Sequence, residues 1–464
     1  MAHDLAIIGS GGAGFAAGIA ASTRGLSVVM VERSTIGGTC VNVGCIPSKA
    51  LLAAAEARHV AAGGSFPGIT TTAGVTDMAA LVGGKTEIVE VLRKEKYEDL
   101  AADYGWRFLR GDARFVGGTD GPVLDVDGER IEAAHYLVAT GASPWVPDVP
   151  GLEETGYLTS TTAFELDRLP ESLLVVGGNY VGLELGQMFS RLGSRVTLVE
   201  ALDRLAPGEE PELSETITAV LGDEGVEVLT SATLAEVRRD DGGVVARMAD
   251  GREVRAEAVL MATGRRPNSD GLDLGAVGVA TGRGGAVVVD DQLRTANPRI
   301  WAAGDVTGAP QFVYVAAAHG TMVIENAFEQ AGRRVDYSHV PRVTFTTPNL
   351  ASVGLTDAQV ADAGLTCTCR VLPLSYVPRA IVNRDTRGVV KIVAEVGTGR
   401  VVGIHMAAAN AGDAILAATY ALEANMTVEQ LAKTWAPYLT MAEGIKLAAQ
   451  SFTTDVAKLS CCAA

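Results

Sequence analysis

Six cysteines are the residues in this 464-residue chain best suited to redox or soft-metal chemistry, and they fall in three pairs. Cys40 and Cys45 lie in the stretch Gly37-Gly38-Thr39-Cys40-Val41-Asn42-Val43-Gly44-Cys45-Ile46-Pro47-Ser48-Lys49. Two thiols in a turn-and-helix segment can close a strained or solvent-reachable disulfide, which is the labile, redox-active kind. Four intervening residues also suit half of a zinc site, but that reading needs a second well-spaced pair, and none is convincing. Cys461 and Cys462 are adjacent near the C-terminus, where they strain a mutual disulfide but can pass a soft cation between sulfurs. Cys367 and Cys369 fall on a predicted strand whose alternation puts both on one face; the sequence favours a structural or incidental role for them over a third metal relay.

The first pair follows an element that binds phosphate. Leu5-Ala6-Ile7-Ile8 predicts a strand, Gly9-Ser10-Gly11-Gly12-Ala13-Gly14 a glycine turn, and the Ala-rich run through Ala21 a helix. A second strand, Ser27 to Val31, ends at Glu32, eighteen residues past Gly14. Strand, glycine turn, helix and a following acid form a dinucleotide-binding fingerprint: Gly9, Gly11 and Gly14 let the backbone approach a pyrophosphate, and Glu32 holds ribose hydroxyls. The plan repeats at Leu173 to Val176, Gly177-Gly178-Asn179-Tyr180-Val181-Gly182, a helix through Leu192, and a strand ending at Glu200. Here Asn179 replaces the middle glycine, which is expected to be tolerable because Asn adopts unusual backbone angles readily. Each unit closes alike, at Ala139-Thr140-Gly141 and at Ala262-Thr263-Gly264.

Between these landmarks the pattern predicts helix from Leu51 to Tyr104, with Tyr97, taken alone, as a packing residue. Asp305 in Ala303-Gly304-Asp305 either bonds a sugar or ribitol hydroxyl or caps the next helix, and His319 is assigned a structural role. After Pro341 the pattern turns to strands around Val343, Val353 and Val389 to Ala394, then to helices from Ala411 to Asn425 and Val428 to Lys433, a mixed α+β domain.

With 38 Lys and Arg against 55 Asp and Glu, the formal charge is −17, which repels phosphate backbones and anionic lipid and argues against nucleic acid as a partner. No apolar run reaches the roughly 18 to 20 residues of a membrane helix, and no signal-like leader is visible, so a cytoplasmic protein without stable membrane association is expected.

Two dinucleotide units, the C-x-x-x-x-C pair after the first, and Ala303-Gly304-Asp305 together resemble the flavin-dependent pyridine nucleotide–disulfide oxidoreductases over nearly the whole chain. The resemblance implies an α/β fold with two Rossmann-like dinucleotide-binding domains, for FAD and NAD(P), plus a C-terminal α+β dimerisation domain. The corresponding boundaries are 1–149 and 271–340 for the two parts of the FAD domain, 150–270 for the NAD(P) domain and 341–464 for the interface domain with its Cys-Cys tail. The family implies a homodimer with active sites shared between subunits. Carried over by position, Cys45 is the flavin-proximal thiol, Cys40 the exchange thiol, Lys49 a cation near the flavin, Glu184 its carboxylate partner, and Tyr180 a cover over the nicotinamide site. Gly38, Thr39, Thr140, Gly141 and Asp305 join the FAD-binding positions, and Gly177, Gly182, Glu200 and Gly264 those for NAD(P).

Family members that reduce disulfides carry a His-x-x-x-x-Glu element near the C-terminus. This chain reads Tyr438 to Glu443, with a phenol where the base would be, and a phenol shuttles protons poorly at neutral pH. Together with the terminal Cys461-Cys462, this resembles the branch of the family that reduces Hg(II) to Hg(0). That branch implies Cys40, Cys45, Cys461 and Cys462 as mercury ligands, the tail pair of one subunit delivering the metal to the inner pair of the other, with Tyr97 and the partner subunit's Tyr438 beside it. The competing expectations are a dihydrolipoamide-type disulfide reductase and a non-catalytic soft-metal-binding flavoprotein. NADPH and NADH both stay open as donors: Glu200 repels a 2′-phosphate, and Arg204 is the nearest cation.

Overall fold

The computed structural model describes residues 3–64, 66–117 and 121–460. Strand His3–Ile8 is the middle of a five-stranded parallel sheet, in the order Ile300–Ala302, Ala133–Val138, His3–Ile8, Val28–Glu32, Arg107–Arg110. Its apolar residues are buried on both faces, as a parallel sheet covered on both sides requires: Leu5, Ala6 and Ile7 are fully buried. Helix Gly12–Ser22 packs against Val313–Glu329 through small residues, and a Cβ at Gly320 would come within 2.1 Å of the Ala13 carbonyl oxygen.

The second unit has its own parallel sheet, in the order Glu227–Leu229, Arg195–Val199, Ser172–Val176, Ala258–Met261. Helix Tyr180–Leu192 covers one face, and the antiparallel strands Leu234–Asp240, Gly243–Met248 and Glu253–Ala256 share a core with the other. The C-terminal region is an antiparallel sheet ordered Arg342–Thr344, Asn349–Gly354, Val401–Ala408, Val389–Glu395, Cys367–Pro373. Helices Ala411–Glu423, Val428–Lys433 and Glu443–Gln450 complete its core. The fold is α/β, with two Rossmann-like units and a mixed C-terminal domain.

The predicted helix over 51–104 is divided. The helix carrying Cys45 ends at Gly63, Gly64 turns left-handed at φ 52°, and a new helix, Met78–Arg93, starts where the Asp77 carboxylate accepts a hydrogen bond from the Ala80 amide. Gly63-Gly64, Pro67-Gly68 and the β-branched Thr70 to Thr72 break the periodicity, and residues 66–72 are exposed. Beyond Arg93 the backbone makes a π-helical turn, Lys94–Glu98, that carries Tyr97. Such turns insert a residue into a helix and re-aim the side chains around it.

Helix Cys45–Gly63 buries Leu51 and Ala55 against Leu183, Met188 and their neighbours on the second unit. A fully buried Leu contributes about 1.5–3 kcal/mol. The thiol-bearing helix is therefore anchored to the second nucleotide unit.

Candidate active site

Both glycine turns have the geometry their sequences demand. Gly9 has φ +103°, and a Cβ there would come 2.4 Å from the Ala139 carbonyl oxygen; Gly177 has φ +113°, with the same 2.4 Å approach to Ala262. A Cβ at Gly14 would meet the Gly9 oxygen at 2.2 Å, and one at Gly182 would meet the Gly177 oxygen at 1.7 Å. Gly14 and Gly182 thus act by close packing of helix on turn and do not line the cleft. Asn179 needs no unusual backbone: it sits at φ −105°, an extended conformation open to any residue, like Gly11 at φ −80°. The expectation that Asn is tolerated for its conformational range is therefore corrected; what the middle position requires is room toward the ligand.

The two acids brace their turns. Glu32 accepts from the Ser10 amide (3.1 Å) and hydroxyl (2.7 Å) and from the Ser34 amide (2.9 Å). Glu200 accepts from the Gly178 amide at 2.7 Å and the Leu202 amide at 2.8 Å. Arg204, expected to be the cation nearest Glu200, turns inward instead, donating to the Pro207 and Glu209 carbonyls and the Ser214 hydroxyl.

Between the turns lies a cleft of about 1750 Å³ lined by Gly9, Gly11, Glu32, Gly38, Thr39, Thr140, Gly141 and Asp305 on one side and Gly177, Tyr180, Glu200 and Gly264 on the other. Ordinary small-molecule pockets span about 300–1,000 Å³, so this one has room for more than one ligand. The free amides at two helix N-termini suit two pyrophosphates. The residues present fit FAD at the first turn and a nicotinamide dinucleotide at the second.

Asp305 follows strand Ile300–Ala302 in a short 3-10 turn; burial raises its pKa, against the pull of Arg265. Gly304, just before it, donates its amide to His319 Nδ1 at 3.2 Å, and His319 Nε2 lies 3.0 Å from the Tyr337 hydroxyl. Burial pulls the His319 pKa down to about 4, so the ring is neutral and positions the backbone next to Asp305. Arg265 was not singled out from sequence. It lines the cleft, donates to the Ala142 carbonyl, and is lowered in pKa by burial against the opposing charges of Asp305 and Cys45. The only signal in the sequence is a guanidinium placed directly after Gly264 at the end of a buried strand.

Cys40 belongs to the short helix Gly38–Val43, and Cys45 is the first residue of the helix Cys45–Gly63. Gly44 joins them; a Cβ there would come 2.9 Å from the Thr39 oxygen and 3.2 Å from the Cys40 Cα, so only a residue without a side chain lets the two helices fold back on each other. Both cysteines are half-buried free thiols on the wall of the cleft. They share a hydrogen bond that, with Lys49 assisting against burial, lowers the Cys45 pKa to about 7. The same bond, reinforced by burial, pushes Cys40 up. Near neutral pH Cys45 is therefore about half thiolate beside a protonated Cys40, at a helix N-terminus that favours the anion.

Lys49, one turn along, places Nζ 2.8 Å from Glu184 Oε2 and over the Phe345 ring at 4.4 Å, while Glu184 Oε1 accepts from the Phe345 amide at 2.9 Å. Tyr180 opens the second-unit helix; its hydroxyl donates to Glu209 Oε1 at 3.3 Å, and burial raises its pKa to about 12. Glu209 is held by Arg342 at 3.1 and 3.2 Å and by the Ser352 hydroxyl at 2.5 Å. Tyr97 is brought beside the thiols. It packs edge-on to Phe15 at 4.7 Å and behind Gly37, and burial together with the charges of Cys40 and Cys45 raises its pKa, although it does not line the cleft. Tyr438 is 48% exposed and also absent from the cleft wall. Cys461 and Cys462 lie outside the described residues.

The pyridine nucleotide-disulphide oxidoreductase family matches residues 3–320, and the dimerisation domain of that family matches residues 340–449. Among relatives, a mercuric reductase of Streptomyces lividans is 59% identical, covering 99% of this chain and 98% of its own length. A mercuric reductase of Staphylococcus aureus is 47% identical over 99% of this chain and 84% of its own length. Among solved structures, the HOCl-induced flavoprotein disulfide reductase RclA from Escherichia coli superposes with a TM-score of 0.87 at 30% identity, covering 97% of this chain and 100% of that one. Similarly, LpdA from Mycobacterium tuberculosis gives a TM-score of 0.86 at 29% identity, over 97% of this chain and 100% of that one. The chain therefore belongs to the pyridine nucleotide-disulphide oxidoreductase family, where its relatives of highest identity named above are mercuric reductases.

Proposed function

We propose that this flavoprotein reduces Hg(II) to Hg(0) with electrons from NAD(P)H, at a dithiol made by Cys40 and Cys45. The observation that carries the reading is the paired thiol and thiolate on a cleft wall shared by two dinucleotide turns, in a chain 59% identical to a mercuric reductase. The overall balance is NAD(P)H plus Hg(II) giving NAD(P)⁺, H⁺ and Hg(0). Bound FAD supplies the two-electron relay between nicotinamide and thiol pair.

The chain's own groups do the rest. The Cys45 thiolate attacks an incoming Hg(II)–thiol complex and displaces one ligand; Cys40 displaces the second and gives its proton to a departing thiolate. Lys49 keeps positive charge near Cys45, and Glu184 fixes where the ammonium sits. Tyr97 closes the site behind the metal with a phenol that stays protonated. Tyr180, tethered to Glu209, covers the nicotinamide position, and Arg265 sets a positive charge between Asp305 and the thiol pair.

The protein acts as a homodimer, in keeping with the matched dimerisation domain. Cys461 and Cys462 of the partner subunit deliver the metal, and the partner subunit's Tyr438 completes the site. Residues 1–149 and 271–340 form the FAD domain, 150–270 the NAD(P) domain and 341–464 the interface domain. No helix among the described residues is long and apolar enough to cross a membrane, and we place the enzyme in the cytoplasm.

The test is anaerobic turnover of the holoenzyme with Hg(II) and excess small thiol, counting NAD(P)H consumed and mercury vapour released. One Hg(0) per NAD(P)H, lost to background in Cys45→Ala, is expected. An unchanged rate in that variant would overturn the proposal.

A further inference from the structure

Cys367 and Cys369 play no part in the cleft and are not among its lining residues. They sit on strand Cys367–Pro373, which among the described residues pairs only with Val389–Glu395 and so forms an edge of the C-terminal sheet. Alternation puts both side chains on one face, where the sulfurs lie 3.5 Å apart as half-buried free thiols. That separation is too long for a disulfide, whose S–S bond is about 2.05 Å. With metal–sulfur bonds of about 2.3 Å, two sulfurs at that spacing can both reach one shared ion.

Lys391, across the sheet on the same face as the pair, is 2% exposed and bonds Glu210 (2.9 Å), Glu212 (3.0 Å) and Asp357 (2.8 Å), so its charge is already matched by carboxylates. Among the described residues no third His, Cys, Asp or Glu joins the sulfurs in a metal-ligating group. A site that offers two sulfurs and no further ligand suits a thiophilic ion content with two ligands, whereas zinc takes four and magnesium prefers oxygen.

We propose that Cys367 and Cys369 form a second dithiol that takes up a soft, thiophilic cation such as Hg(II), separately from the cleft. In loading, both Hg–S bonds to small-thiol ligands break and two Hg–S bonds to the protein form. The two cysteine protons leave with the departing thiolates as neutral thiols, and no electrons move. The pair holds metal rather than reducing it, and this uptake stands whether or not the cleft reduces mercury.

The experiment uses the oxidised full-length holoenzyme, in which a Cys40–Cys45 disulfide takes up no metal, with Cys461→Ser/Cys462→Ser silencing the tail. It is loaded with Hg(II) as its bis-cysteine complex, desalted, and its mercury counted per subunit. About one equivalent is expected, and adding Cys367→Ser/Cys369→Ser removes it. Equal mercury with and without the pair overturns the proposal, as does equal retention of Zn(II). In the unsubstituted chain, prior Hg(II) should protect Cys367 and Cys369 from alkylation as read by peptide mass spectrometry; full labelling despite Hg(II) also overturns it. Turnover in the cleft is unchanged in Cys367→Ser/Cys369→Ser.

Discussion

Replacing Cys40 by alanine tests what holds Cys45 ionised. The hydrogen bond from Cys40 is the leading cause of the fall in the Cys45 pKa to about 7, ahead of the Lys49 charge, while burial and Glu184 work against both. Without that bond the midpoint rises toward the ordinary thiol value of about 8.5. At pH 7 the thiolate fraction would then fall from about one half to about 3%, so alkylation of Cys45 slows by up to about 15-fold. The assay is iodoacetamide labelling of the reduced holoenzyme across pH 5.5–9.5, read at the Cys45 peptide by mass spectrometry so that other thiols do not interfere. Lys49→Met should move the midpoint in the same direction but less, because its ammonium is already paired with Glu184 at 2.8 Å. A midpoint in Cys40→Ala that stays near 7 would refute the reasoning and leave the helix N-terminus as the main stabiliser.

Three further outcomes follow from the same structure. Lys391→Met leaves Glu210, fully buried, crowded with Glu212 and Asp357 and without their shared cation. Breaking a buried ion network of this kind costs about 3–5 kcal/mol, and a thermal midpoint within 2 °C of the parent would contradict it. His319 and His405 both have pKa values drawn down to about 4 by burial. Between the unfolded value of about 6.5 and about 4, the unfolded chain binds protons that the folded chain does not, so their contribution is intact above pH 6.5 and lost as pH falls through that window. Urea midpoints at pH 7.5 and 5 should differ less in His319→Gln than in the parent; an equal or larger difference would refute this. Finally, Gly182→Ala puts a Cβ 1.7 Å from the Gly177 oxygen, so flavin content should stay normal while reduction by NAD(P)H is lost; normal reduction would show that the second turn tolerates the shift.

The parts of the site legible in sequence were those encoded within a few residues. The glycine turns, the strands that feed them and the Cys40–Cys45 spacing are local patterns, and their geometry followed from them. The Lys49–Glu184 pair spans 135 positions and was reachable only through family resemblance, because nothing local to either residue calls for the other. Arg265 escaped notice since its role depends on Asp305 and Cys45, which come from two other segments. The same holds for the anchoring of Tyr180 through Glu209 to Arg342 and Ser352, a contact between the second unit and the C-terminal sheet. The break in the helix after Gly63 is encoded in Gly63-Gly64 and Pro67-Gly68, whose punctuation outweighs the apolar periodicity on either side. Asn179 shows the reverse case, a correct tolerance with the wrong cause, because the middle turn position uses ordinary backbone angles.

The central claim is that the reduced Cys40–Cys45 pair is where Hg(II) meets the electrons. The most direct measurement is an anaerobic stopped-flow spectrum of the holoenzyme after NADPH or NADH, followed by one equivalent of Hg(II). A long-wavelength band from the Cys45 thiolate against the flavin should form on reduction and vanish on mercury binding, before mercury vapour is released. Mercury vapour released while that band persists unchanged would contradict the account.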